Sequence, residues 1–271
     1  MNDSKTPESP EHPARHHVLA HLTYPEVEAI LEKTSDRPVV ALLPLGSTEA
    51  HGPHLPLATD SLISEGMAAR GAAELARRGL EAVIFPTIHY AVTDWAAAFK
   101  GSTTIPREVA HNLVLETCKA IKGMGFTRVA IFSGHLEPGH VACLRAVARD
   151  YEAATGEPLV YFDKTRRRHV QRLTPEFQSG SCHAGQYETS IVLAARPELV
   201  KTDIAQTLPA HVVPMHIKIK AGARDFLECG MDRAYCGDPS AASAEEGRET
   251  LDTLGLLLAD EIQASLAPAP D

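Results

Sequence analysis

Short apolar runs and longer amphipathic ones alternate along most of this chain. Val39 to Leu43, Ala82 to Phe85, Arg128 to Phe132 and Leu159 to Phe162 are brief, rich in β-branched and aromatic residues, and predict buried strands. Leu62 to Arg78, Pro106 to Met124, Val141 to Thr155 and Ala241 to Leu266 have helical length. Gly79 stops the first of these, Gly123 and Gly125 the second and Gly156 the third. Tyr24-Pro25-Glu26 opens a further short helix, with Val27, Ile30 and Leu31 on one side. Glu188 to Ala195 reads equally as a helix or a buried strand. Strands alternating with helices of this length imply βαβ units and a parallel sheet covered on both faces. The expected class is α/β, a three-layer α/β/α domain with a mainly parallel central sheet. It is expected over residues 18–267, with no internal linker or repeat, behind a mobile tail of residues 1–17.

Composition narrows the partners. The 271 residues carry a formal net charge of −9, which argues against nucleic acid. The basic run Lys164 to Arg168 reads as a solvated loop. No apolar stretch approaches membrane-spanning length, and the tail lacks the apolar core of a secretory signal. The five cysteines, Cys118, Cys143, Cys182, Cys229 and Cys236, form no C-x-x-C pair, which suits a reducing cytoplasm. His12, His16 and His17 read as solvated tail residues.

Chemistry concentrates in two loops, each directly after a predicted strand. Glu49, His51 and Asp60 follow the first strand, and His135 and Glu137 follow the third. Ligand sites in parallel α/β sheets gather outside the carboxyl ends of strands, so both loops reach one edge. Glu49-x-His51 and His135-x-Glu137 are i, i+2 pairs, which in extended backbone project to one face. Asp60 opens the next helix, where its carboxylate could bridge two ions; read alone, it would be a helix N-cap. Three carboxylates against two divalent cations leave one positive charge to stabilise a hydroxide between them. Mixed nitrogen and oxygen ligands suit zinc or manganese, with iron possible. Farther along, His183 sits among small residues and could protonate a leaving nitrogen. Glu188 could orient a ligand or be one. Cys182 precedes His183, but neighbours in an extended segment face opposite ways, which disfavours a Cys–His nucleophile. His54 is expected to support the loop, His89 to line the pocket, and Trp95 and Phe99 to lie on a covering loop.

The segment Gly46-Ser47-Thr48-Glu49-Ala50-His51-Gly52-Pro53-His54-Leu55-Pro56-Leu57-Ala58-Thr59-Asp60 resembles the long signature of the creatininase (creatinine amidohydrolase) family. Phe99-Lys100-Gly101-Ser102-Thr103 is similar to the family's F-P-G-T stretch, with Lys100 in place of proline. His183-Ala184-Gly185 with Glu188-Thr189-Ser190 is similar to its H-A/G-G-x-x-E-T-S segment. The resemblance implies a creatininase-like fold and a dinuclear centre of Glu49, His51, Asp60, His135 and Glu137, with Asp60 bridging. It also implies His183 as the catalytic histidine and a homo-oligomer, hexameric in the family. Leu136 stands where creatininase has an aromatic, Phe162 is expected to replace one of its two tryptophans, and Ser179 or a neighbour takes the place of the other. An aromatic-clamped creatinine site is therefore not expected. Lys100 and the arginine run hint at an anionic substrate. The reading is a metal-dependent amidohydrolase with two divalent ions, acting on a carbon–nitrogen bond of a small, cyclic amide other than or besides creatinine. Its alternatives are a formamide, a small peptide or a carbocyclic C–C bond on the same centre, and more distantly a non-catalytic metal- or ligand-binding protein.

Overall fold

The structure is a computed structural model in which residues 17–32 and 37–267 are described. Five strands, β1 (His17–Val18), β2 (Val39–Leu45), β3 (Glu81–Ile84), β4 (Arg128–Ser133) and β5 (Val160–Phe162), form one sheet in the order β1-β3-β2-β4-β5. All neighbouring pairs run parallel. Every residue of β2 is buried, as a central parallel strand requires.

Side-chain alternation in β2 divides the core. Val40 and Leu42 join Ala130 and Phe132 on one face, against α2 (Thr59–Arg77), α7 (Gln186–Ala195) and α10 (Ala244–Leu266). Val39, Ala41, Leu43 and Leu45 join Val129 and Ile131 on the other, against α1 (Tyr24–Leu31), α3 (Arg107–Gly123) and α4 (Pro138–Thr155). The expected three-layer α/β/α architecture is thus observed. Short helices α5 (Arg167–Val170), α6 (Pro175–Ser179), α8 (Thr202–Ala205) and α9 (Met215–Lys220) occupy stretches where the sequence predicts no element.

Several expectations are corrected in detail. Glu188 to Ala195 is helical, lying within α7. The helix predicted from Leu62 begins at Thr59, whose N–H and hydroxyl both donate to the Pro56 carbonyl. Its N-cap is Ala58, so Asp60 sits inside the first turn and its carboxylate is free for the site. His17, assigned to the tail, pairs with Val83 in β1, whereas His12 and His16 lie outside the described residues. Lys164, assigned to a solvated loop, is 1% exposed. Two of the arginines after it are paired: Arg168 grips both oxygens of Glu261 at 2.7 Å, and Arg166 lies 3.8 Å from Asp163. No described helix is long and apolar enough to cross a membrane.

Candidate metal centre

The register of β2 with β4 builds the site. Leu45 stands opposite Ser133, so the two strands end in line and Gly46 and Gly134 leave the sheet side by side. The start of α2 packs directly onto both. A Cβ on Gly46 would lie 2.3 Å from Ser61 Oγ, and one on Gly134 would lie 2.2 Å from the Asp60 carbonyl oxygen. Only glycine admits that approach, which carries Asp60 between the two loops.

Six side chains converge there, all buried: Glu49, His51, Asp60, His135, Glu137 and Glu188. Ligand atoms of Glu49, His135 and Glu137 lie within 4.8 Å of one another, as do those of His51, Asp60 and Glu188. Asp60 joins the two groups: its Oδ2 is 3.1 Å from His135 Nδ1 and its Oδ1 is 3.4 Å from His51 Nε2. Glu49 Oε1 is 3.2 Å from His135 Nδ1, and Glu188 Oε2 is 3.5 Å from His51 Nε2.

Backbone contacts aim the imidazoles. His51 Nδ1 faces the Glu49 carbonyl at 3.1 Å, and His135 Nε2 faces the Val92 carbonyl at 2.8 Å. Donation from those nitrogens leaves His51 Nε2 and His135 Nδ1 with lone pairs toward the carboxylates. Ser47, which the sequence reading passed over, donates its hydroxyl to Asp60 Oδ2 at 2.7 Å. The Trp95 N–H donates to Glu137 at 3.1 Å and the Ala184 N–H to Glu188 at 2.7 Å. His54, as expected, supports the loop, with Nε2 at 2.8 Å from the Thr189 hydroxyl.

The protonation pattern is that of a cation site. Burial alone would depress the His51 imidazolium, but Asp60, Glu188 and Glu49 outweigh it and raise its pKa to about 10. His135 is likewise raised by Glu49 and Asp60 against the effect of burial. Burial pushes Glu137 and Glu188 up to about 7 each. In this cluster, protons hold positive charge where lone pairs converge. Glu49 Oε2 and His51 Nε2 are buried without a hydrogen-bond partner, so the donor set fits divalent ions.

His183 borders this cluster. Its Nε2 lies 3.0 Å from the Ala50 carbonyl and its Nδ1 4.0 Å from Glu49, while its ring stacks between His51 and Phe226 at 4.4 and 4.3 Å. Burial and the nearby His51 hold its pKa well below the ordinary imidazole value, so it is neutral and able to accept a proton. Ala184, next in sequence, has φ of 51°, and this turn lets both Cys182 and His183 line the cavity. The opposite-faces argument therefore fails. Burial nevertheless keeps the Cys182 thiol far above its ordinary pKa and protonated, so it is no nucleophile.

The cluster opens onto a cavity of about 380 Å³ whose far wall is apolar: Leu136, Val170, Phe177, Met215, Ile219 and Phe226, with Trp95 at the edge. Of the four proposed substrate residues, Leu136 alone lines it. His89 is exposed, with Nδ1 2.9 Å from Ser61 Oγ outside the cavity. Lys100 is exposed on a turn. Phe162 is a core residue, 1% exposed and packed on His169. The site is more aromatic than expected, because Trp95 meets Phe226 edge-on at 6.1 Å and Phe177 comes from α6. Trp95 lies at the cavity edge, in keeping with the covering loop expected for it, whereas Phe177 and Phe226 carry no local signal in the sequence.

Acids and imidazoles converging beside an apolar cavity are what a metal-dependent hydrolase requires, and fold and site together point to that class. Comparison with known proteins narrows it: the chain belongs to the creatininase family, whose creatinine amidohydrolase profile matches residues 20–262. It is 30% identical over 213 residues to a mycofactocin precursor peptide peptidase of Mycobacterium tuberculosis (strain ATCC 25618 / H37Rv), covering 76% of this chain and 78% of that one. It is 26% identical over 269 residues to a creatinine amidohydrolase of Pseudomonas putida, covering 92% and 97%. Among solved structures, one described as "Creatininase Mn" superposes with a TM-score of 0.69 at 22% identity, over 94% of this chain and 100% of that one. The chain is therefore a metal-dependent hydrolase of the amidohydrolase type.

Proposed function

We propose that this enzyme hydrolyses the amide bond of a peptide-like substrate with an apolar body, on two divalent ions held by Glu49, His51, Asp60, His135, Glu137 and Glu188. One observation carries the reading: a buried acid–imidazole cluster opens onto a 380 Å³ cavity with an apolar, aromatic wall. That volume lies in the lower part of the roughly 300–1,000 Å³ typical of small-molecule pockets. A small flat ring would leave much of it unfilled. The mycobacterial relatives, named as peptide peptidases, support the peptide reading. The Pseudomonas putida relative keeps a cyclic amide as the second reading.

Divalent ions bound here supply acidity to a water and polarise a carbonyl. Manganese and zinc both suit the donor set; relatives described as "Creatininase Mn" and "Zn-Zn type" support that choice, and iron suits it chemically. The chain's own residues do the rest. Asp60 bridges the two groups, with Ser47 fixing its carboxylate. Neutral His183 presents Nδ1 toward the cluster, where it takes a proton from the attacking water and then delivers it to the leaving nitrogen. Trp95, Phe177 and Phe226 hold the apolar part of the substrate and exclude water. A homo-oligomer in the cytoplasm completes the reading, consistent with five free cysteines.

A panel of apolar di- to tetrapeptides, lactams, formamides and creatinine, assayed with Mn²⁺ or Zn²⁺, tests this. We expect peptide hydrolysis that a chelator abolishes. Creatinine turnover with every peptide inert would overturn the peptide reading.

A further inference from the structure

Lys164 is the one residue of the basic run that turns inward. It follows Asp163 just beyond the end of β5, and its ammonium is buried without a hydrogen-bond partner. Two aromatic faces hold it instead, with Nζ 5.9 Å from the Phe177 centroid and 5.7 Å from that of Tyr187. Phe177 lines the cavity, and Tyr187 is a core residue of α7 that immediately precedes Glu188. Thr165, Cys182 and Glu188, on the same side, also line the cavity. Burial lowers the Lys164 pKa from its ordinary value, and the nearby charges that favour the ammonium against that effect are Glu188 and Asp60. A lysine confined this way requires a reason, because a buried unpaired charge is costly.

The charge of the centre supplies one. With Glu188 included, the cluster holds four carboxylates, Glu49, Asp60, Glu137 and Glu188. Two divalent ions only neutralise them, and no positive surplus remains for the negative oxygen that builds up as an amide is attacked. We propose that Lys164 is an electrostatic positioning residue of this centre: its caged ammonium supplies the missing positive charge from behind Glu188, opposing cation binding while favouring the anionic transition state. The inference rests on the metal-hydrolase reading and on Glu188 belonging to the cluster, but not on any particular substrate.

Lys164→Met keeps length and shape and removes the charge, and replacing a buried charge with a matched apolar group is commonly tolerated. The first measurement is calorimetric titration of the metal-stripped protein with Mn²⁺, which needs no substrate. We expect K164M to bind Mn²⁺ at least ~5-fold more tightly than wild type, because a repelling charge is gone. On whichever amide the panel identifies, its kcat should fall ~10-fold or more with KM within about 2-fold, since the lost field acts on the transition state. Lys164→Arg should restore both values toward wild type. Unchanged or weaker Mn²⁺ binding in folded K164M would overturn the proposal, whether or not a substrate is found. A raised KM at unchanged kcat would also overturn it, by making Lys164 a substrate contact. Should K164M fail to fold, K164Q is titrated in its place, with the same two results deciding.

Discussion

Glu188 shows what a single residue's placement decides. Its sequence context left two roles open, orienting a ligand or being one. In the fold its Oε2 lies 3.5 Å from His51 Nε2 and groups with His51 and Asp60, while the Ala184 N–H donates to that same oxygen. This geometry favours the ligand role and yields a sharp expectation. Glu188→Ala should lose about one of the two ions per chain, as measured by elemental analysis after purification without chelator, and activity should fall ~100-fold or more. A residue that only orients a ligand would weaken metal binding, commonly by ~10–100-fold, without abolishing a position. The proposed ligands Glu49, His51, His135 and Glu137 were legible because each pair lies two residues apart directly after a strand. Lys100, His89 and Phe162 were misplaced because a residue's distance from a motif says little about where its side chain points.

At the scale of elements, the site depends on how closely α2 approaches the ends of β2 and β4. Gly134→Ala would place a Cβ 2.2 Å from the Asp60 carbonyl, with backbone rather than a flexible side chain in the way. The start of α2 must then retreat and take the Asp60 carboxylate with it. We expect this variant to retain the α/β fold by circular dichroism but to bind less than one Mn²⁺ per chain. Wild-type metal content in G134A would show that α2 can shift without cost. The strands and main helices were legible because apolar periodicity and glycine stops are written in consecutive residues. Short helices α6 and α9, which bring Phe177, Met215 and Ile219 to the cavity, were not. At five and six residues they are too short to display a period, and packing places them.

For the whole molecule, the cluster couples stability to pH and metal. His51 is raised from 6.5 to about 10 in the folded chain, so it contributes stability that is fully present below pH 6.5 and is lost as pH rises toward 10. Glu137 and Glu188, raised from 4.5 to about 7, have already lost theirs by neutral pH. His54 and His183 have lowered pKa values and act oppositely, but they titrate below about 6.5. Above pH 7 those two histidines therefore no longer offset the cluster. Chelator-treated protein should lose melting temperature between pH 7 and 9, and the increase in Tm on adding Mn²⁺ should grow over the same interval. An Mn²⁺-induced shift independent of pH in differential scanning calorimetry would indicate that these groups do not hold the ion.

The sequence by itself determined the succession of β2 to β5 and the main helices, the parallel sheet and the motif residues of the cluster, all of which follow from neighbours a few positions apart. Tertiary structure alone decided that Glu188 joins the cluster, that Lys164 turns inward against Phe177 and Tyr187, and that Phe177 and Phe226 line the cavity. These residues are scattered along the chain, and their chemistry arises from burial and proximity, which exist only once the layers have packed.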